Sequence, residues 1–231
     1  MIMANECFLY DNCKKYKAGT CELNEGEFCI KLFKLDYLYT ESLLTKNQRE
    51  YVALRIDADG TDREEFMYLK SIENSIEDFV NGGKSLYIFS ETCGNGKTAW
   101  AIRLIQAYFN AIWHKCDLNC KALFINVPRF LLELKDNISN KSDYIQQIKS
   151  KILEADLVVW DEVATKAVTQ FEHENLLSLI NSRIDLNKAQ IFTSNVAPDN
   201  LRDIVGDRLY SRVVNLSTVI EFKGADKRGL K

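Results

Sequence analysis

Leu86-Tyr87-Ile88-Phe89-Ser90-Glu91-Thr92-Cys93-Gly94-Asn95-Gly96-Lys97-Thr98 is the stretch on which the reading of this chain turns. Four apolar residues read as a buried strand, a glycine-containing loop follows, and Lys97-Thr98 opens a helix. This pattern is a phosphate-binding P-loop. A triphosphate needs many hydrogen-bond donors at close range, and successive backbone N–H groups beside a helix N-terminus supply them without bulky side chains in the way. Cys93, Gly94, Asn95 and Gly96 are therefore expected to wrap the phosphates. Lys97 is expected to reach the β/γ-phosphates and the Thr98 hydroxyl to ligate Mg²⁺. The first glycine of G-x-x-x-x-G-K-[ST] falls on Glu91, so the assignment rests on the Gly-Lys-Thr core.

Further along, Ala155-Asp156-Leu157-Val158-Val159-Trp160-Asp161-Glu162 is a short apolar run that stops at two acids. A central parallel strand delivers carboxylates to its C-terminal edge in this way. Asp161 is expected to hold Mg²⁺, and Glu162 to orient and polarise an attacking water, because phosphoryl transfer depends mostly on positioning and charge compensation. A third strand, Ala189-Gln190-Ile191-Phe192-Thr193-Ser194-Asn195, ends in small polar residues. Asn195 can donate and accept at once, which suits holding a water between phosphate and Glu162. Gly206-Asp207-Arg208-Leu209-Tyr210-Ser211-Arg212 then places two arginines four apart, on one helical face. They read either as a solvated, salt-bridged face or as arginines offered to a neighbouring subunit's nucleotide.

These motifs, together with a terminal Phe222-x-Gly224-x-Asp226-x-Arg228, occur in an order that resembles AAA+ ATPases of the DnaC/DnaI helicase-loader type, over roughly residues 60–231. The chain looks most like the short, phage-encoded versions. The resemblance implies that Asn195 is the sensor 1 residue, Arg212 the arginine finger with Arg208 beside it, and Arg228 a sensor 2 candidate. It implies an Mg²⁺-dependent ATPase that self-assembles, binds a hexameric replicative DNA helicase and helps to place it on single-stranded DNA. An IstB-like transposition helper, whose ATPase core is similar, and a nucleotide-bound helicase adaptor or inhibitor with little turnover are the alternatives.

Between the motifs, strands and helices alternate: helix 97–113, strand 121–126, helices from Pro128 to Glu154, strand 156–160, helix 170–185, strand 189–194. Such alternation predicts an α/β fold, a parallel sheet with helices on both faces and ligands at the strands' C-terminal edge. Upstream, Thr61-Asp62-Arg63-Glu64 reads as a capping box opening a helix with apolar positions Phe66, Leu69, Ile72, Ile76, Phe79 and Val80, stopped by Gly82-Gly83. Trp100, Tyr108, Phe109 and Trp113 read as core or helix-packing residues.

At 231 residues, 46% hydrophobic and 27% charged, the chain suits one α/β domain with a small appendage. Its net charge of −3 argues against a dedicated duplex-DNA binder, while the stretch from Gly206 onward is locally basic. No apolar run is long enough to span a bilayer, and a cytoplasmic location is expected. Residues 1–60 differ in composition from the ATPase region at 61–231. Cys7, Cys13, Cys21 and Cys29 recur there at intervals of six, eight and eight. Reduced thiols in so short a segment suggest a metal knot, Zn²⁺ first and an iron–sulfur cluster second, although no gap has the two-residue spacing of common zinc sites. Four scattered thiols are the other reading. This module is expected to dock the helicase. Cys116 and Cys120 read as free thiols.

Overall fold

A computed structural model describes residues 7, 9, 11, 13–22, 26–50, 54, 56, 60–140, 143–164 and 168–227. Its centre is a five-stranded parallel sheet made of β1 (Ser85–Phe89), β2 (Ala122–Asn126), β3 (Leu157–Asp161), β4 (Ala189–Ser194) and β5 (Thr218–Glu221), in the order β2-β3-β4-β1-β5. All four pairings are parallel. The strands are apolar on both faces, as a sheet covered twice must be. Leu86, Ile88, Phe124, Leu157, Val159 and Ile191 point into one hydrophobic cluster. Tyr87, Phe89, Leu123, Ile125, Val158, Trp160 and Phe192 point into the other.

The first face is covered by α4 (Arg63–Asn74), α5 (Ile76–Asn81) and α6 (Lys97–Ile112), which contribute Leu69, Phe79, Leu104 and Phe109 to that cluster. The second is covered by α7 (Val127–Asn140), α8 (Asp143–Glu154), α9 (Gln170–Asp185) and α10 (Pro198–Tyr210). Trp100, Tyr108 and Phe109 are buried and Trp113 is half-buried, as their helical spacing predicts. The helix expected to run from residue 61 to 81 breaks at Ser75, whose non-helical backbone, φ −122° and ψ 38°, separates α4 from α5. Its capping box does not form: Asp62 occupies the N-cap position with left-handed backbone and no capping hydrogen bond.

Residues ahead of 60 also belong to this core. Helix α2 (Glu27–Glu41) buries Leu38, and Leu44, just ahead of the single turn α3 (Lys46–Arg49), follows it into the same cluster as α6. The Ser42 carbonyl accepts from Phe124 N at 2.8 Å, covering part of the outer edge of β2. Lys151 Nζ reaches Glu41 at 2.6 Å, and Tyr37 Oη donates to Leu118 O at 2.9 Å. Deleting residues 1–60 would therefore strip side chains from the ATPase core.

The four N-terminal thiols are not gathered. Among the described residues no three His, Cys, Asp or Glu side chains converge as metal ligands, so the expected four-thiolate site finds no support here. Cys13 is buried and its sulfur accepts from Tyr16 N at 3.4 Å, capping the single turn α1 (Lys14–Lys17); Cys29 lies within α2. Cys116 and Cys120 are buried free thiols that donate to backbone carbonyls. Among the described residues no helix is long and apolar enough to cross a membrane.

Candidate functional site

At the C-terminal edge of the sheet, the loop from Ser90 to Gly96 leaves β1 and enters α6. Gly94 and Gly96 have φ of 79° and 105°, backbone that side-chain-bearing residues rarely adopt, which is why the glycines of the motif stand there. Gly96 is the N-cap of α6, so Lys97 and Thr98 project from the helix's first turn. A cavity of about 290 Å³ lies over this turn, lined by Cys93 through Ala99, Glu162, Thr193, Ser194 and Asn195. Three separate sequence segments thus meet at one place.

The Lys97 ammonium is buried and held at the cavity floor, donating to Thr92 O at 2.9 Å, Asn95 Oδ1 at 3.2 Å and Ser90 O at 3.4 Å. All three are uncharged acceptors in or beside the loop. Thr98 Oγ1 donates to Asp161 Oδ1 at 2.8 Å, and Thr193 Oγ1 donates to the same oxygen at 2.7 Å. Burial raises the Asp161 carboxyl above its usual range; the hydroxyls of Thr193 and Thr98 pull it back, and the Glu162 charge beside it adds to the rise.

Glu162 sits immediately past the end of β3 with φ of 61°, in the left-handed region, and Ala164 follows at 67°. Thr193 holds that turn from both ends of the residue: its hydroxyl accepts from Glu162 N at 3.1 Å and its carbonyl from Val163 N at 2.8 Å. Non-glycine residues in such conformations persist where the surroundings fix them. The exposed Glu162 side chain accepts from Asn126 Nδ2 at 3.1 Å. Asn126 is the last residue of β2 and pairs in register with Asp161, which places it one step from Glu162; its Oδ1 also accepts from Arg129 N at the start of α7. Neither Asn126 nor the double role of Thr193 is legible in the motifs. The readable trace is only that both are polar residues ending strands whose interiors are apolar.

Asn195 is exposed at the end of β4 and lines the cavity, as expected. The two arginines do not line it. Helix α10 is kinked at Gly206, with φ of 76°, and Ser211–Asn215 forms a π-helical turn, so the helical stretch bearing Arg208 and Arg212 begins after the kink and changes pitch between them. Arg208 is exposed, whereas half-buried Arg212 donates through Nε to Asn181 Oδ1 on α9 at 2.9 Å. Arg228 lies outside the described residues.

A parallel sheet in this order, a P-loop after its interior strand β1, and acids closing the neighbouring strand but one define a P-loop ATPase domain of the AAA+ class. The model of the bacterial DnaA ATPase domain matches residues 69–219, and the chain belongs to that family. It is 29% identical over 190 residues to the chromosomal replication initiator protein DnaA of Mycoplasma genitalium, a match that takes in 79% of this chain and 40% of the initiator, so the chain spans well under half of that relative. In fold it is similar to the crystal structure of DnaI (TM-score 0.63, 18% identity, 81% of this chain and 95% of that one). It is likewise similar to the DnaC helicase loader (0.60, 14%, 80% and 98%). A DnaA replication initiator solved with AMPPCP and single-stranded DNA has TM-score 0.58 at 18% identity, over 79% of this chain and 52% of that one.

Proposed function

We propose that this chain is an ATPase of replication initiation that binds the replicative DNA helicase and helps to place it on single-stranded DNA. The observation that carries the nucleotide part is the convergence of Lys97, Thr98, Asp161, Glu162 and Asn195 around one cavity on a sheet of this topology. Lys97 exchanges its loop carbonyls for phosphate oxygens when ATP enters, and the amides of residues 94–98 complete the cradle. Thr98 and Asp161 offer adjacent hard oxygen donors of the kind Mg²⁺ takes, and they are the residues that would hold it. Held there, the ion would supply charge neutralisation for the phosphates. Glu162, oriented by Asn126, accepts the proton of the attacking water, and Asn195 fixes that water's direction.

Arg212 acts on the nucleotide of a neighbouring copy. Its place outside its own cavity, with Asn181 steadying the guanidinium, supports this role, and Arg208 is the adjacent cation. The loader reading in particular draws on the likeness in fold to DnaI and to the DnaC helicase loader. Helicase docking falls to the N-terminal part, where Phe28, Ile30 and Phe33 of α2 are exposed. Single-stranded DNA is gripped by assembled ATPase domains in the cytoplasm, with affinity that falls as salt rises.

The test is co-purification of the replicative helicase from the native cell with wild-type protein and with Ile30→Glu, alongside ATP turnover with and without single-stranded DNA. Loader function predicts helicase retained by wild type, lost from Ile30→Glu, and turnover that responds to DNA. Turnover with no helicase captured would favour the transposition-helper alternative. Capture with no turnover would favour an adaptor.

A further inference from the structure

Asp62 has the position of a helix cap and does not act as one. It precedes α4 with φ of 60°, and its carboxylate makes no bond to the helix's own amides. A left-handed non-glycine residue is disfavoured, and an uncapped first turn forgoes further stabilisation. Both carboxylate oxygens are used elsewhere: Oδ1 accepts from Lys223 N at 2.7 Å and Oδ2 from Gly224 N at 2.8 Å. Two short, charge-assisted bonds to successive amides offset those losses.

The amides belong to the segment after β5, and that segment crosses the phosphate loop. Phe222 N donates to Phe89 O at 2.9 Å, Phe222 O accepts from Asn95 Nδ2 at 3.4 Å, and Lys227 N donates to Gly94 O at 3.0 Å. Phe222 and Gly224 are buried, so this stretch is packed in place. The contact with Gly94 matters because a trans peptide is planar, with its C=O and N–H pointing in opposite directions. Holding the Gly94 carbonyl toward the terminal segment turns the Asn95 N–H away from it, and that N–H belongs to the loop that lines the cavity.

We propose that Asp62 is a positioning residue for the nucleotide: by clamping residues 223 and 224 it places the terminal strap whose Lys227 amide fixes the Gly94–Asn95 peptide of the P-loop. The inference rests on the nucleotide-site reading above. In this arrangement the junction ahead of α4 and the end of the chain control one peptide of the phosphate cradle. Loss of the clamp weakens ATP binding without removing any group that touches the reacting atoms.

The experiment titrates a fluorescent ATP analogue into full-length wild type, Asp62→Ala, Asp62→Asn and Lys97→Ala, with steady-state ATPase assays and amide hydrogen exchange on the same proteins. Asp62→Ala should bind about tenfold more weakly, the size of an ordinary coupling between linked sites. Its KM should rise in step while kcat stays within about twofold of wild type. Exchange should quicken at residues 223–227 and also at 92–96. Asp62→Asn keeps one acceptor oxygen, so it should fall between the two and remain folded if the alanine variant does not. Unchanged affinity and KM in both Asp62 variants, or faster exchange confined to 223–227, would overturn the inference while leaving the nucleotide site intact. Wild type binding no better than Lys97→Ala would overturn the nucleotide site itself and this inference with it.

Discussion

The phosphate loop and the segment bearing Arg208 and Arg212 are built on opposite principles. Around the P-loop every key group is held by partners from its own chain: Lys97 by three loop acceptors, Asp161 by two threonine hydroxyls, Glu162 by Asn126. The arginine segment lies past a glycine kink and in a π-helical turn, and Arg212 is steadied by Asn181 away from the cavity. On the proposed function, the phosphate-binding half of the site is assembled within the chain, and the arginines are offered to the nucleotide of a neighbouring copy. If that proposal holds, the difference teaches that geometry inside one copy suffices for nucleotide binding, whereas turnover needs contact between copies.

The largest effect that could break this comparison comes from Arg212→Ala. An arginine that stabilises transition-state charge contributes roughly 10³–10⁵ in rate, so steady-state turnover should fall by about that factor with ATP affinity preserved. Mixing Arg212→Ala with Glu162→Gln protein should restore part of the activity through mixed interfaces. Inert mixtures, under conditions where wild type assembles, would mean that Arg212 does not act on a neighbour.

Next in size is the scaffold that presents Asn181. Two residues on, Arg183 is fully buried and donates to Ile152 O, Ala155 O, Asp156 O and Ala189 O, tying α9 to the lower ends of β3 and β4. Burial lowers its guanidinium to about 9, with the Asp156 charge opposing that shift. Arg183→Ala removes donors from Ile152 O, Ala155 O and Ala189 O, while Asp156 O keeps Ala189 N, and should cost about 3–5 kcal/mol in denaturant unfolding, at about 1–3 kcal/mol per buried acceptor left short of a partner. A loss below about 1 kcal/mol would show that water replaces the side chain there.

The smallest expected effect concerns the other end of α9. Thr169 and Glu172 form a reciprocal capping box, and Lys135 of α7 reaches Glu172 at 3.0 Å. Burial pushes the Glu172 carboxyl up, but the Thr169 amide and hydroxyl and the Lys135 ammonium outweigh it and bring it down to about 2. A folded value below the unfolded one means the contribution is present in full above about pH 4.5 and is lost as pH falls toward 2. Glu172→Gln should therefore lower stability by about 1 kcal/mol at neutral pH and flatten the acid limb of the unfolding curve. An unchanged acid limb would remove Glu172 from that role.

Much of the core was legible because its signals are local. The continuous apolar runs, the glycines at positive φ and the acids at a strand end mark Leu86–Thr98, Leu157–Glu162 and Ala189–Asn195 within a residue or two of where the structure places them. What was not legible depends on distant partners. Strand β5 has four residues with only Ile220 buried, too short for its alternation to stand out. Asp62 carries the signature of a cap, and nothing local reveals that its partners lie at 223 and 224. The kink at Gly206 and the π-helical turn that carries Arg212 leave no mark in the simple i, i+4 spacing of the arginines. The N-terminal cysteines invited a metal site from composition alone, but ligation needs convergence, and among the described residues they do not converge.

The claim that one chain carries a complete phosphate-binding half-site is tested most directly by equilibrium ATP binding to wild type, Lys97→Ala and Glu162→Gln under identical conditions. Lys97→Ala loses the charge at the cavity floor, whereas Glu162→Gln alters only the group that faces water. The expected result is binding by wild type and Glu162→Gln with similar affinity, hydrolysis by wild type alone, and no measurable binding by Lys97→Ala. Equal affinity in wild type and Lys97→Ala would contradict the account.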